Sequence, residues 1–96
     1  MNYYEWLASQ YAYRYPNLYN RAIPLIDEEL DKYDGTELTP NEMNQLVDNV
    51  IRRFNDLYAQ TMQFGFGARD SFKDIIFIFL ISRLLRRRRY PRYPYY

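Results

Sequence analysis

Four acidic residues in close succession are the first candidates for chemistry in this chain: Asp27, Glu28, Glu29 and Asp31. Two carboxylates held close together can serve as a general acid and a general base, or they can bind a hard cation. Successive residues of a helix point in different directions, however, so these four side chains are not expected to converge. We therefore interpret them as a solvated acidic face and not as a catalytic pair.

The segment from Asp31 to Glu42 has the acidic content of an EF-hand calcium loop and lies between two predicted helices. Its register does not fit that motif. When Asp34 and Gly35 are placed at loop positions 5 and 6, where position 6 is the invariant glycine, the first and third ligand positions fall on Leu30 and Lys32, which cannot coordinate calcium. The sequence therefore predicts no metal site and no cofactor.

The composition removes several classes of active site. The chain contains neither cysteine nor histidine, which excludes disulfides, thiolate nucleophiles, Ser-His-Asp triads, and zinc or iron–sulfur sites built on these residues. No other catalytic spacing is present, and no motif places the chain in a known family. We therefore expect a protein that is not an enzyme and has no small-molecule substrate.

A cluster of arginines near the C-terminus could bind anions. Residues 1–64 carry five cations and ten carboxylates, whereas residues 65–96 carry eight cations and two carboxylates. Guanidinium groups bind phosphates and neighbouring tyrosines can stack on bases or lie at a lipid headgroup, so the candidate ligands are RNA and an anionic membrane surface. The alternative is that the acidic half of the same or a neighbouring subunit neutralises the basic half. The predicted anion-binding residues are Arg86, Arg87, Arg88, Arg89 and Arg92.

Apolar periodicity predicts four helices to position these groups, over residues 3–13, 17–33, 40–63 and 72–85. The first should end before Pro16, because a residue that precedes proline is pushed out of the α region. Pro24 should either kink the second helix or start a new one. Thr39 and Glu42 form a capping-box pattern at the start of the third helix, and Ser71 with Asp74 repeats the pattern before the last.

Aromatic residues dominate the first predicted helix. The chain is 20% aromatic, with 12 tyrosines, and tyrosine is frequent at interfaces because its ring can be buried while its hydroxyl reaches water. We predict a protein contact face formed by Tyr3, Tyr4, Trp6, Leu7 and Tyr11.

The last predicted helix is apolar in almost every direction, and such a helix must be buried all round. The other helices of so small a chain should not be able to surround it, so self-association or contact with lipid is expected. The segment Ile75–Leu85 is about 16 Å long as a helix, against about 30 Å for a bilayer core, so it should not span a membrane. Insertion into one leaflet remains open, as does a buried strand over Ile75–Ile81. The predicted assembly core consists of Phe77, Phe79, Leu80, Leu84 and Leu85.

These features together predict an all-α protein: a small bundle of about four helices over residues 1–85, followed by a disordered tail rich in Arg, Tyr and Pro over residues 86–96. The leading functional hypothesis is a non-catalytic structural or protein–protein interaction protein that self-associates through the apolar C-terminal helix. The alternative is a peripheral membrane or nucleic-acid-binding adaptor that uses the arginine cluster. The first residues show no signal-peptide pattern, so we expect an intracellular protein, peripheral to a membrane or part of a surface assembly.

Overall fold

The fold of the chain is all-α. A computed structural model describes residues 2–33, 37–58 and 71–89. These residues form α1 (Tyr3–Arg14), α2 (Pro16–Leu30), α3 (Pro40–Tyr58) and α4 (Phe72–Arg89), and the described ranges contain no strand. The predicted four-helix bundle is confirmed, and the alternative of a strand over residues 75–81 is wrong.

The helix starts follow the local signals. Asn2 caps α1, since its Oδ1 accepts a hydrogen bond of 2.7 Å from the Tyr4 amide. At α3 the Glu42 amide donates to Thr39 Oγ1 at 3.1 Å and the Thr39 amide donates to Glu42 Oε1 at 2.9 Å, which confirms the predicted capping box. At the start of α4, the Asp74 amide donates a longer hydrogen bond of 3.4 Å to the Ser71 hydroxyl.

One residue joins α1 to α2. Tyr15 has φ −129° and ψ 67°, outside the helical region. It is both the C-cap residue of α1 and the N-cap residue of α2. This is the expected effect of Pro16 on the residue before it. Helix α2 then continues through Pro24, so no new helix starts at that point. It ends at Leu30, three residues before the predicted end.

The core takes side chains from all four helices, and α4 packs against each of the other three. Its Ile75, Ile76, Phe79 and Leu80 are completely buried within the single chain. The other helices therefore bury one side of α4 within the chain, while its apolar side chains at positions 77, 78, 81 and 85 are half-buried. Aromatic rings supply much of the cover, because they bury a large area each: Tyr19 of α2, for example, packs edge-on against Phe79 at 5.1 Å between ring centroids.

Helix α4 ends at Arg89, four residues beyond the predicted boundary at Leu85. Arginine is a good helix former, and cations at a helix C-terminus interact favourably with the helix dipole. A contact from Arg87 to α2 also holds the last turns in place. The predicted tail therefore begins at residue 90 at the earliest, and residues 90–96 lie outside the described residues.

Candidate interaction surfaces

Asp27 of α2 and Asp31 at its C-cap pair with two arginines of α4. Asp27 accepts two hydrogen bonds from the Arg83 guanidinium, at 3.1 Å from Nε and 2.8 Å from a terminal nitrogen. One turn further along both helices, Arg87 lies 2.9 Å from the Asp31 carboxylate and donates to the Asp27 carbonyl oxygen at 3.3 Å. Two acids four residues apart thus meet two arginines four residues apart, which requires α2 and α4 to run in the same direction.

These contacts shift the pKa of Arg83. The hydrogen bond that Arg83 donates to Asp27 raises this pKa above its ordinary value, and this outweighs the opposite effect of burial. The bidentate geometry matches the planar guanidinium to the planar carboxylate, which favours one orientation of α4 on α2. Arg83 is therefore a structural residue of the bundle.

The remaining acids of α2 face α3. Arg53 donates to Glu29 Oε2 at 3.0 Å and also to Glu28. The Lys32 ammonium lies 2.8 Å from the same Glu29 oxygen, and the Asn49 amide nitrogen lies 3.5 Å from the other. Glu29 is only 2% exposed, and this buried carboxylate is held by one charged donor from the turn after α2 and one from α3, as a buried charge requires.

Burial of Glu29 by itself raises the pKa of its carboxyl, but the hydrogen bonds and charges of Lys32 and Arg53 outweigh that effect and hold the pKa below its ordinary value. Glu29 is therefore ionised at neutral pH. For Arg53, the hydrogen bond to Glu28 raises the pKa against the effect of burial.

The interpretation of the acidic segment as a solvated face is thus wrong for Asp27 and Glu29, whereas Glu28 and Asp31 are exposed. Its four carboxylates join α2 to α3 and α4, and they do not converge into an acid–base pair. Arg83 and Arg87 fit the alternative in which the acidic half of the chain neutralises part of the basic half, because they pair with acidic residues at the C-terminal end of α2. The matched spacing of four residues in Asp27/Asp31 and Arg83/Arg87 was the signal in the sequence that could have revealed this pairing.

The predicted anion-binding residues do not form one surface. Arg87 faces α2, whereas the side chains of Arg86 and Arg88 are exposed. Arg89 is the last residue of α4, and Arg92 lies outside the described residues. The described part of the cluster is therefore divided between an internal ion-pair network and the protein surface.

The predicted assembly core is also divided. Phe79, Leu80 and Leu84 are buried in the core of the chain itself, whereas Phe77 and Leu85 are half-buried. Along the described ranges, no helix has both the length and the apolar content needed to cross a membrane.

The predicted contact face on α1 separates into exposed and half-buried residues. Tyr3 is 63% exposed, Tyr4 41% and Trp6 49%, while Leu7 and Tyr11 are half-buried and Tyr11 packs against the core. Apolar periodicity groups exposed and half-buried residues together, because Tyr4, Leu7 and Tyr11 fall on one amphipathic stripe.

A fourth exposed ring on α1 was not among the predicted contact residues. Tyr13 is 91% exposed. It lies seven residues, or about two helical turns, after Trp6, and this spacing was the signal that could have placed it on the same side of α1. We call the exposed set Tyr3, Tyr4, Trp6 and Tyr13 the α1 aromatic surface. Tyr3, Trp6 and Tyr13 share one side of the helix, whereas Tyr4 is half a turn away from Tyr13 and joins the set through its ring contact with Tyr3.

Ring contacts order the N-terminal part of the α1 aromatic surface. The ring centroids of Tyr3 and Trp6 lie 6.2 Å apart, and the Tyr4 ring meets the Tyr3 ring edge-on at 5.5 Å. The Ser9 hydroxyl donates to the Trp6 carbonyl oxygen at 2.6 Å. These side chains stand on a capped helix, so the surface is a preformed aromatic platform.

A shallow cleft of about 310 Å³ lies between α1 and α4. Its polar groups are largely committed: Ser9 and Ser82 each donate to a backbone carbonyl of their own helix, and Arg83 is bonded to Asp27. The cleft shows that the last turns of α4 lie beside the first turns of α1. Its lining residues are Glu5, Ala8, Ser9, Ala12, Tyr19, Ser82, Arg83 and Arg86.

Across the part of the chain that the structure describes, no three acidic residues lie close enough together to hold a metal ion. The features left for a functional site are therefore the α1 aromatic surface and the exposed arginines near the end of α4. A comparison of the chain with protein-family models, with curated proteins and with solved structures finds no match.

Proposed function

We propose that this protein is a non-catalytic interaction protein that binds an extended segment of a polypeptide through the α1 aromatic surface. The observation that carries the proposal is the exposure of four large aromatic side chains on one short helix. Tyr and Trp are enriched at the centres of protein interfaces, where they give a large contact area for little loss of side-chain entropy.

The size of the surface supports a peptide segment as the partner. A fully exposed aromatic residue presents about 150–250 Å², so the four exposed fractions amount to about 500 Å². A stable complex between two globular surfaces buries about 800 Å² on each partner. The α1 aromatic surface is smaller than that, and it suits a segment of several residues.

Proline-containing segments are the best match in chemistry. An extended polyproline-type chain is already ordered before it binds, so it loses little entropy, and its rings pack on aromatic side chains. The α1 aromatic surface is ordered as well, through the Asn2 cap and the contacts between Tyr3 and its neighbours. Preorganisation of both partners lowers the entropic cost of the complex.

The two functions expected from the sequence have less support. Self-association through α4 would have to use Phe77 and Leu85, because the other three residues proposed for it lie in the core. An adaptor for membranes or nucleic acids would rely on Arg86 and Arg88 within the described residues, since Arg87 is paired with α2.

Trp6 allows a direct test, because it is the chain's single tryptophan and it lies within the α1 aromatic surface. We would titrate the protein with a synthetic peptide of repeated Pro-Arg-Tyr units and follow Trp6 fluorescence. A matched peptide with alanine in place of every proline is the control ligand. We expect a saturable change in emission with the proline peptide and a much weaker change with the alanine peptide.

Two variants complete the test. Tyr13→Ala should weaken binding of the proline peptide, because it removes the most exposed ring of the surface. Leu57→Ala removes an exposed apolar side chain from α3, a helix that does not contact α1, and should leave binding unchanged. Equal effects of the two variants, or no saturable change in the wild-type protein, would contradict the proposal.

A further inference from the structure

We infer that two copies of this chain pair in antiparallel orientation through the outward side of α4, with Ile81 on the two-fold axis. We call this side the α4 outer face, and it consists of Asp74, Phe77, Ile78, Ile81, Leu85 and Arg88. The inference does not depend on the proposed function, because none of these residues belongs to the α1 aromatic surface.

Helical spacing places these residues on one side of α4. The successive steps from Asp74 through positions 77, 81 and 85 to Arg88 are three, four, four and three residues. At 3.6 residues per turn these positions fall within about a quarter of the helix circumference, and Ile78 flanks them. The completely buried side chains of α4 lie on the opposite side, against the other three helices.

The centre of the α4 outer face is apolar and only partly covered. Phe77, Ile78, Ile81 and Leu85 are half-buried, so each keeps part of its apolar surface accessible. Phe77 and Leu85 are the two members of the predicted assembly core that the packing of the chain itself does not bury. Contact with a second copy would complete the burial of these side chains and remove their remaining apolar surface from water.

The order of the residues on this face is self-complementary. Phe77 and Leu85 lie four residues before and four residues after Ile81, and Asp74 and Arg88 lie seven before and seven after. When two copies of α4 run in opposite directions with Ile81 opposite its own equivalent, Phe77 faces Leu85. In the same register Asp74 faces Arg88, and the two-fold axis repeats each contact at the other end.

The two charges select the antiparallel orientation. Asp74 and Arg88 are both exposed, one near each end of the face. In a parallel pair each would face a residue of the same sign, whereas the antiparallel pair brings opposite charges together at both ends. Exposed ion pairs add little affinity, but they determine orientation and register. Opposite charges at equal distances from an apolar centre are thus the pattern that fits a second copy of the chain.

The size of the face predicts a weak dimer. Residues 74–88 extend about 21 Å along the helix axis, and the strip is one helix wide, or about 10 Å. A stable complex buries about 800 Å² on each partner, and a strip of one helix is smaller than that. We therefore expect reversible association at concentrations of the order of micromolar or above.

Sedimentation equilibrium of the full chain tests the pairing. The average mass of the wild-type protein should rise from one chain toward two chains over about a hundredfold increase in concentration. Ile81→Glu places two like charges on the two-fold axis and should abolish this rise. Arg86→Gln changes the charge by the same amount on the side of α4 that borders α1, and this control should leave the rise unchanged. Circular dichroism verifies that each variant remains folded.

A charge exchange tests the antiparallel register. Asp74→Arg and Arg88→Asp each place like charges at both ends of the pair, so each variant alone should dimerise about tenfold more weakly than the wild type. An equimolar mixture of the two variants should recover the wild-type affinity, because the mixed pair again has opposite charges at both ends. In a parallel pair neither variant would be weaker than the wild type.

The contrary results are distinct. A wild-type protein that stays monomeric, a dimer that Ile81→Glu leaves intact, or a mixture that associates no better than its two components would each overturn the inference. A monomer that instead sediments with phosphatidylcholine vesicles would show that lipid covers the α4 outer face, which also overturns the pairing. Peptide binding by the α1 aromatic surface is measured separately, so each of these results leaves the proposed function standing.

Discussion

Replacing Glu29 with glutamine should destabilise the protein much more than the same change at Glu28. Both carboxylates accept hydrogen bonds from Arg53, but Glu29 is buried whereas the Glu28 side chain is 59% exposed. Glutamine keeps the shape of the side chain and removes its charge. The pair Glu29→Gln and Glu28→Gln therefore isolates the effect of burial on one shared ion-pair network.

The expected loss follows from the surroundings of Glu29. Removal of one partner from a fully buried ion pair costs about 3–5 kcal/mol, because the other charge remains without compensation. Here the Lys32 side chain is 65% exposed and that of Arg53 is 33% exposed, so both cations can regain water. We therefore expect a loss of about 1–3 kcal/mol in the free energy of unfolding, the range for hydrogen bonds to charged groups. For Glu28→Gln we expect about 0–1 kcal/mol, as for exposed ion pairs.

The pH dependence supplies a second readout. Burial raises the pKa of Glu29, but Lys32 and Arg53 lower it further, so the folded-state value lies below the ordinary value of 4.5. Such a carboxylate contributes stability that is complete above the unfolded-state pKa and is lost as the pH falls through the folded-state pKa. The difference between wild type and Glu29→Gln should therefore be constant near neutrality and decrease below about pH 4.5.

Urea denaturation followed by circular dichroism, repeated over a series of pH values, measures both quantities. The Glu28→Gln variant is measured in parallel at each pH. The reasoning would be refuted if the two variants lost the same stability at neutral pH, or if the deficit of Glu29→Gln persisted unchanged in strong acid.

Three further changes test other contacts of the bundle by urea denaturation. Arg83→Ala should lower the free energy of unfolding by about 1.5–3 kcal/mol, because it removes two hydrogen bonds to a carboxylate of α2. The control Arg88→Ala, at an exposed position, should lower it little. Similar losses in the two variants would argue against a structural role for Arg83. Thr39→Ala should cost about 1 kcal/mol through loss of the α3 capping box, and an unchanged midpoint would contradict that role. Leu80→Ala should cost about 2–5 kcal/mol because Leu80 is completely buried, whereas Leu57→Ala at an exposed site should cost far less. Light scattering on Leu80→Ala distinguishes this core role from the assembly role expected from the sequence: a folded variant of lower mass than the wild type would restore the assembly role.

The number of helices and their starting points could be predicted from the sequence. Apolar periodicity indicated four helices, and the capping pattern of Thr39 and Glu42 appears in the structure with both hydrogen bonds formed. The break at Tyr15 followed from the proline after it. Helix ends were predicted less well: α4 ends four residues after Leu85, because contacts with α2 support its last turns.

The surfaces of the protein were harder to predict. The apolar character of α4 suggested assembly with other copies. The burial of a helix depends, however, on how many other helices pack against it, and three pack against α4 within its own chain. On α1, periodicity placed Leu7 and Trp6 on one predicted face, whereas packing covers the first and exposes the second. Tyr13 became visible as part of the same surface only once the orientation of α1 was known.

The sequence by itself determined the local structure of this protein, because capping hydrogen bonds, proline restrictions and helix propensity act between residues that are close along the chain. The tertiary structure decided which charges are paired and which rings are exposed. Asp27 and Arg83 are 56 residues apart, and only the parallel packing of α2 and α4 brings them together. The same packing turns one side of α1 inward and leaves the α1 aromatic surface accessible.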